Sequence, residues 1–220
     1  MADLGNTMRL ATGQEVDIDR YGDYGLYSTA VGFFNAVAQE IECFNYKRGD
    51  TIPGTAGVRA TKLHTNLDKM QGGLGYSEEM LVHCIAIQLP HMVPSSVGGI
   101  DHRLGEDMNL LIDQTYFHFD CNTKVYSEGV IDCYPYFGGL FIVSDVNNHE
   151  YVNNGMPMSG GAKPLALPIH LTGKSSFKSV FEFPLGALVL LNALDAAHDY
   201  EVRVWLNGIR SRYEGTSVGP

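Results

Sequence analysis

Two pairs of histidine and cysteine are the residues of this sequence with the clearest potential for metal chemistry. His83 adjoins Cys84 in "LVHCIAIQL" (81–89), and His118 precedes Cys121 in "TYFHFDC" (115–121). Histidine nitrogen and cysteine sulfur are the ligands that zinc prefers, usually in a tetrahedral set. The first question is therefore whether the elements that carry these pairs can bring the ligands together.

Strand geometry argues against a metal site. Both pairs lie in segments with β-type patterns, where neighbouring side chains point to opposite faces. His83 and Cys84 are adjacent, and His118 and Cys121 are three positions apart, so neither pair can chelate from its own strand. A site that joins His83 to His118 across strands stays open, but it needs further ligands in register. We predict no metal and no cofactor.

No other motif indicates catalysis. The segment "QGGLGYSEE" (71–79) lacks the Lys-Ser/Thr of a phosphate-binding loop, and no Gly-x-Ser-x-Gly nucleophile elbow occurs. Two pairs of acids, Glu78–Glu79 and Asp17 with Asp19, could bind a cation such as calcium. No calcium-binding loop surrounds them, so solvated surface carboxylates are the favoured interpretation. The sequence predicts that the protein is not an enzyme.

The composition excludes several functional classes. The 220 residues carry a formal net charge of −10, with no basic arm, which argues against direct binding to nucleic acid. The first twenty residues lack the apolar core of a secretory signal. The four cysteines, at positions 43, 84, 121 and 133, show no CxxC spacing. They are typical of reduced thiols in a protein made in a cytosol.

Short period-two segments, separated by turns rich in Gly, Pro and Asn, predict roughly eight strands in an all-β domain. Two layers of strands fit a sandwich, a jelly roll or a small barrel. Two long loops, 90–107 and 146–164, interrupt the pattern, and loops of such length are usually functional. We place an N-terminal arm or short helix at residues 1–35 and a single domain at residues 36–220.

The last predicted strand, "YEVRVWLNGIRSR" (200–212), carries the only tryptophan of the chain on its polar face. Tryptophan and arginine are enriched where subunits contact each other. The predicted subunit-interface residues are Trp205, Arg203, Arg210, Arg212, Tyr134 and Tyr136. The alternative is that a loop of the same subunit covers the tryptophan.

One family shares this order of motifs. The segment "TNLDKMQGGLGYSEEMLVHCIAIQL" (65–89) resembles part of the upright jelly-roll capsid proteins of tailless bacteriophages that contain an internal membrane. Three further pieces follow in a similar order: "KVYSEGVIDCYPYFGG" (124–139), "NNGMP" (153–157) and "FEFPLGALVLLNALDAAHDYEVRVWLNGIRSR" (181–212). The last piece is similar to the small-residue turn and final Leu-x-Gly-x-Arg strand of that family. The resemblance covers most of residues 59–212.

The resemblance implies a single eight-stranded jelly-roll β-barrel or β-sandwich without catalytic residues. It implies structural roles for Thr65, Asn66 and Leu67 at a strand end, and for Gly208 and Arg210 near the end of the last strand. Such a subunit assembles by side-to-side contacts into an icosahedral shell. Its partners are other copies of itself, other capsid proteins, and an internal membrane or the proteins of that membrane. Its location is the virion, after assembly in the host cytoplasm.

Many members of this family fuse two barrels, whereas 220 residues hold one. A major capsid protein and a minor or vertex component therefore both stay open. Two other function classes also remain. One is a lectin-like or virion-decorating β-sandwich, whose Tyr134 and Tyr136 in "CYPYFGG" (133–139) would stack on sugars. The other is a metal-dependent barrel enzyme that uses His83 and His118.

Overall fold

The chain is an all-β protein. The structure, a computed structural model, describes residues 7–9, 15–17, 21–33, 39–53, 55, 57–68, 72–76, 78–88, 112–135, 141–144, 150–153, 163–183 and 199–211. The strands are β1 (Thr7–Arg9), β2 (Glu15–Asp17), β3 (Tyr21–Phe33), β4 (Gln39–Cys43), β5 (Glu79–Gln88), β6 (Tyr116–Cys121), β7 (Lys124–Val130), β8 (Phe141–Ser144), β9 (Glu150–Asn153), β10 (Lys163–Thr172), β11 (Phe177–Phe183) and β12 (Asp199–Ser211). A 3₁₀-helix, Ile131–Cys133, follows β7. Within these segments, no helix is long and apolar enough to span a membrane.

Eight of the strands form two antiparallel sheets of four. Sheet 1 has the order β10-β5-β12-β3, and sheet 2 has the order β4-β11-β6-β7. The strands β1 and β2 form one two-stranded ribbon, and β8 and β9 form another. This arrangement confirms the predicted all-β class with eight strands in two sheets, and it is consistent with a sandwich.

The pairing of these eight strands is nested along the chain. The first strand, β3, pairs with the last, β12, and β4 pairs with β11. Inside these pairs, β5 pairs with β10, and β6 pairs with β7 through a tight turn. The two halves of the chain therefore run antiparallel to each other over four successive pairs of strands.

Both sheets contribute to one hydrophobic core. In β12 the alternation of side chains puts Val202, Val204 and Leu206 in this core. The core side of sheet 2 is aromatic, with Phe117, Phe119, Phe177 and Phe181 all buried. The ring centroid of Phe117 lies 5.2 Å from that of Phe181. Burying one such side chain contributes roughly 1.5–3 kcal/mol to stability.

The predicted boundary after residue 35 is wrong for the segment 21–33. Strand β3 pairs with β12 over its whole length, from Tyr21 to Phe33, so it belongs to sheet 1 rather than to an arm or a short helix. Its core-facing side contains Leu26, Ser28 and Ala30, all at most 3% exposed. Ser28 can be buried because its hydroxyl oxygen accepts a hydrogen bond from the backbone N–H of Phe44 at 2.9 Å. A hydroxyl and small side chains give only a weak apolar pattern, so the sequence did not predict this strand.

The structure tests only one of the two predicted long loops. The loop at 146–164 contains strand β9 and the start of β10, so part of it is extended structure. The loop at 90–107 lies outside the described residues.

The four cysteines are free thiols, as the sequence predicts. Cys43 and Cys121 are buried, and burial raises the pKa of both thiols. Cys133 is exposed. Because the thiolate is the reactive form, we expect a maleimide to label Cys133 rapidly in the native protein and to label Cys43 and Cys121 only after unfolding. The control is Cys133→Ser. Rapid native labelling of Cys43 in that variant would mean that β4 does not face the core.

Candidate interaction surfaces

The two histidine–cysteine pairs do not form a common site. His83 lies on β5 in sheet 1, whereas His118 lies on β6 in sheet 2. His118 has its own partners, since its Nδ1 lies 3.2 Å from a carboxylate oxygen of Glu182 and its Nε2 lies 3.4 Å from one of Asp120. In the part of the chain that the structure describes, no group of three or more potential ligands could hold a metal ion. The cross-strand site that the sequence left open is therefore not formed by these two histidines.

The structure brings two predicted interface residues, Arg203 and Trp205, together on sheet 1. The indole N–H of Trp205 donates to Oε1 of Gln88 at 3.0 Å, and Nη1 of Arg203 lies 3.4 Å from the same oxygen. The Trp205 ring packs against Tyr27, with centroids 4.7 Å apart. Arg203 also donates to the hydroxyl of Thr29 at 2.9 Å. These polar groups therefore have partners inside the subunit, and the interface role of both residues stays a prediction.

The segment 61–68 lies along the outer edge of β3. The backbone N–H of Thr29 donates to the carbonyl of His64 at 2.8 Å. The side chain of Asn66 bonds the same edge twice, accepting from the Tyr27 N–H at 2.9 Å and donating to the Gly25 carbonyl at 2.7 Å. An open strand edge leaves backbone N–H and C=O groups that can pair with another chain. The segment 61–68 bonds to such groups of β3 and therefore closes this edge of sheet 1. The resemblance implied a structural role for Asn66 at a strand end, and the structure shows its side chain bonded to the edge of β3.

The same segment is tied to β12. The Nη2 of Arg203 donates to the backbone carbonyl of Leu63 at 2.6 Å, so the guanidinium fixes the segment above the sheet. Arg203 thus helps to position a loop of its own subunit. Whether that loop covers Trp205, the alternative that the sequence left open, stays a prediction.

Trp205 provides a direct optical test, because it is the only tryptophan. Its indole N–H and one side of its ring already have partners within the subunit. We therefore expect its fluorescence maximum to stay unchanged as subunits associate. The measurement is an emission spectrum at each point of a concentration series. A shift to shorter wavelength on association would place Trp205 at a subunit contact.

Arg210 pairs with Glu78, and this pair overturns the interpretation of Glu78 as a solvated carboxylate. Glu78 is 7% exposed, and its carboxylate accepts hydrogen bonds from the Arg210 guanidinium and from the Gly75 N–H. The pair therefore ties the end of β12 to the turn that precedes β5. Glu79 is exposed and lies 3.3 Å from Nε2 of His170. In the other predicted acidic pair, Asp19 lies outside the described residues.

We expect Glu78→Gln to lower the free energy of unfolding by about 2 kcal/mol, because Arg210 would keep its charge in a half-buried position without a counterion. The amide oxygen of the glutamine can still accept the hydrogen bond from the Gly75 N–H. The loss of stability therefore measures the contribution of the Glu78 charge. The matched control is Glu79→Gln, at an exposed position, where we expect less than about 0.5 kcal/mol. Urea unfolding followed by circular dichroism measures both. Equal midpoints for the two variants would contradict the ion pair.

The interface prediction is wrong for Tyr134. This residue is 0% exposed, and its ring centroid lies 4.7 Å from that of Phe117 in the core. Its backbone N–H donates to the carbonyl of Ile131, so the 3₁₀-helix turns the side chain inward. Its hydroxyl lies 2.9 Å from the Ser127 hydroxyl, and burial raises its pKa. Tyr134 can stack neither on a sugar nor on a neighbouring subunit. Tyr136 and Arg212 lie outside the described residues.

The solvent side of sheet 2 combines carboxylates with exposed apolar side chains. Register places Glu182 opposite both Glu40 and Tyr116, and it places Val180 between Glu42 and His118. We define the outer face of sheet 2 by Glu40, Glu42, Tyr116, His118, Asp120, Val125, Tyr126, Glu128, Val130, Lys178, Val180 and Glu182. Five of these residues are carboxylates. The alternation of Glu40 and Glu42 is visible in the sequence, but the neighbourhood of strands from distant segments is not.

The β6–β7 part of this face exposes four apolar side chains among its charged residues. Tyr116, Val125, Tyr126 and Val130 are between 36% and 47% exposed. Clustered exposed apolar side chains, rather than scattered ones, mark surfaces that contact other molecules. A hydrogen bond from the Tyr116 hydroxyl to Glu128, 2.7 Å long, raises the tyrosine pKa to about 12 and joins the apolar and acidic parts.

Comparison of the chain with protein-family models, with curated proteins and with solved structures finds no match. The functional argument therefore depends on the strand pairing and on the surfaces described above.

Proposed function

We propose that this chain is a single jelly-roll subunit of a viral capsid, which assembles through side-to-side contacts into an icosahedral shell. The observation that carries the proposal is the nested pairing of eight strands, from β3 with β12 inward to β6 with β7. A jelly roll is a double-sheet fold of eight strands, and viral capsid proteins are among its main users. The strand order of the two sheets supports this fold for the chain.

Lectins and cupins also use jelly rolls, so function has to be argued from particular residues. In a cupin the space between the sheets holds metal ligands, whereas here it is filled by Phe117, Phe119, Phe177 and Phe181. In the lectin-like alternative, Tyr134 would stack on a sugar, but it is 0% exposed. Both observations favour a structural role over the two alternatives.

The outer face of sheet 2 supports assembly. It is one side of a sheet, and Tyr116, Val125, Tyr126 and Val130 are exposed there in a subunit that has filled its own core elsewhere. A structural subunit that packs against copies of itself needs such a surface, because apolar area removed from water drives association. The proposed partners are other copies of this chain and other capsid proteins, within a virion.

The test is the mass of the protein in solution, measured by light scattering across a concentration series. We expect discrete oligomers whose population rises with concentration. A strict monomer at every concentration, together with glycan binding that Tyr136→Ala abolishes, would instead favour the lectin-like alternative.

A further inference from the structure

We propose that the loop between β4 and β5 of one copy docks on the outer face of sheet 2 of the next copy. This inference rests on the proposed capsid function and names the contact by which subunits join. We call residues 47–68 the basic loop. Two observations carry the proposal: the charges of the two surfaces are opposite, and both surfaces expose apolar side chains.

The basic loop holds a local excess of cations in an acidic protein. Its charged residues are Lys47, Arg48, Arg59 and Lys62, against Asp50 and Asp68, whereas the whole chain has a net charge of −10. Arg48, Arg59 and Lys62 are exposed. Two of these cations adjoin an exposed apolar side chain in the sequence. Val58, which precedes Arg59, is 48% exposed, and Leu63, which follows Lys62, is 75% exposed. A cation next to an exposed apolar side chain therefore occurs twice in this loop.

Hydrogen bonds and a small core hold the described residues of the basic loop, 47–53, 55 and 57–68, in place. Backbone hydrogen bonds cross it from Gly49 to Ala60 at 2.9 Å and from Ile52 to Val58 at 2.9 Å. Ile52 and Ala60 pack with Tyr46 in a small core of their own. A preorganised segment loses little conformational entropy when it binds. The loop is therefore suited to dock as a rigid body.

The outer face of sheet 2 is complementary in charge. Five carboxylates lie on this face across its four strands. Glu40, Glu128 and Glu182 are exposed, whereas Glu42 and Asp120 are half-buried. Lys178 offsets one of them, since its Nζ lies 2.7 Å from a carboxylate oxygen of Glu42. Lys124 lies at the β6–β7 turn, 4.8 Å above the Tyr126 ring. The carboxylates exceed the lysines, and the exposed apolar side chains of β6 and β7 lie among them.

A second copy of this chain is the partner that the outer face of sheet 2 fits, because each copy carries both the acidic face and the basic loop. Copies that carry a charge of −10 repel one another in general, so a local contact between opposite charges favours their association. Of the eight large apolar side chains that the described residues expose, six lie on these two surfaces. The two surfaces belong to different parts of the subunit, so the contact is head-to-tail. Head-to-tail contacts build rings and shells when the rotation closes.

Charge reversal on each surface tests the contact. The face-reversed variant is Glu40→Lys with Glu182→Lys, and the loop-reversed variant is Arg59→Glu with Lys62→Glu. All four positions are exposed, so we expect both variants to fold as the wild type does. Because like charges would meet at the contact, we expect each variant alone to associate about tenfold more weakly, or worse, at low salt.

Two further samples are designed to restore the contact. An equimolar mixture of the two variants pairs each reversed surface with its complement on the other variant, and a single chain with all four substitutions does the same in one molecule. We expect both samples to recover the association of the wild type. The matched control, Asp113→Lys with Glu79→Lys, changes the net charge as the face-reversed variant does, at exposed positions outside both surfaces. We expect it to associate as the wild type does.

The outcomes separate the docking contact from the proposed function. If the wild type and both reversed variants assemble equally, the docking inference is overturned while the capsid proposal stands. If the control loses association as strongly as the face-reversed variant, net charge rather than docking explains the loss, and the inference is again overturned. If the wild type itself stays monomeric in every arm, both proposals fail.

Discussion

We expect Gly208→Ala to lower the free energy of unfolding by about 3 kcal/mol. Gly208 lies on β12, where the register with β5 shifts, and a Cβ added there would clash with the carbonyl oxygen of Leu81 and lie 2.9 Å from Cα of Val82. Both contacts are with backbone, so the two strands would have to separate for the methyl group to fit. Such a loss is a large share of a typical folding stability of about 5–15 kcal/mol.

The matched control for this effect is Gly25→Ala on β3. A Cβ there would lie 3.0 Å from Oδ1 of Asn207 and 3.3 Å from Cε3 of Trp205, which are side-chain atoms that can move. We expect a loss of about 1 kcal/mol or less. The measurement is the urea midpoint of each variant, followed by circular dichroism. A Gly208→Ala midpoint equal to that of the wild type would mean that β5 and β12 do not meet closely at this position.

We expect Phe117→Ala to lower the free energy of unfolding by about 3–5 kcal/mol. Phe117 is 0% exposed on β6, an inner strand of sheet 2, and its ring lies between those of Tyr134 and Phe181, at centroid distances of 4.7 and 5.2 Å. Its removal would leave a cavity beside two rings, and close packing prevents neighbours from filling such a cavity completely. This aromatic group is what fills the space between the two sheets.

The neighbouring residue Tyr116 is the control for Phe117. It lies on the opposite face of β6 and is 36% exposed, so we expect Tyr116→Ala to cost less than about 1 kcal/mol in stability. Chemical denaturation of both variants gives the comparison. Losses of equal size would contradict the assignment of the two faces, and the outer face of sheet 2 would then no longer be a surface.

The strands that the sequence predicts best are those in which apolar and polar side chains alternate clearly. In β12, Val202, Val204 and Leu206 alternate with polar residues, and the structure buries all three. In β3 the prediction failed because Ser28 and Ala30 take core positions that usually hold larger apolar side chains. Their burial depends on contacts with distant segments, such as the hydrogen bond between Ser28 and Phe44. A pattern within one strand cannot contain that information.

The motif Leu-x-Gly-x-Arg of the last strand shows what can and what cannot be predicted from residue types. Its spacing is visible in the sequence, and the structure gives a physical reason for each position. Leu206 enters the core, Gly208 allows close approach of Leu81, and Arg210 pairs with Glu78. The partners Leu81 and Glu78 lie more than a hundred positions away in the chain. The sequence therefore marks the motif, but only the strand pairing explains it.

The candidate surfaces were less predictable than the strands. Arg203 and Trp205 stand out by residue type, yet both have partners in their own subunit. The outer face of sheet 2 combines Glu40, Tyr116 and Glu182 from three distant segments, so no single stretch shows it. Surfaces of this kind become visible only once the order of the strands is known.

The most direct test of the central proposal is negative-stain imaging of the purified protein at the highest concentration it reaches, alongside light scattering of the same sample. The proposal predicts rings, shell fragments or closed shells of uniform diameter built from repeated subunits. A sample that contains monomers alone, or open filaments without closure, would contradict the assignment of this chain as a capsid subunit.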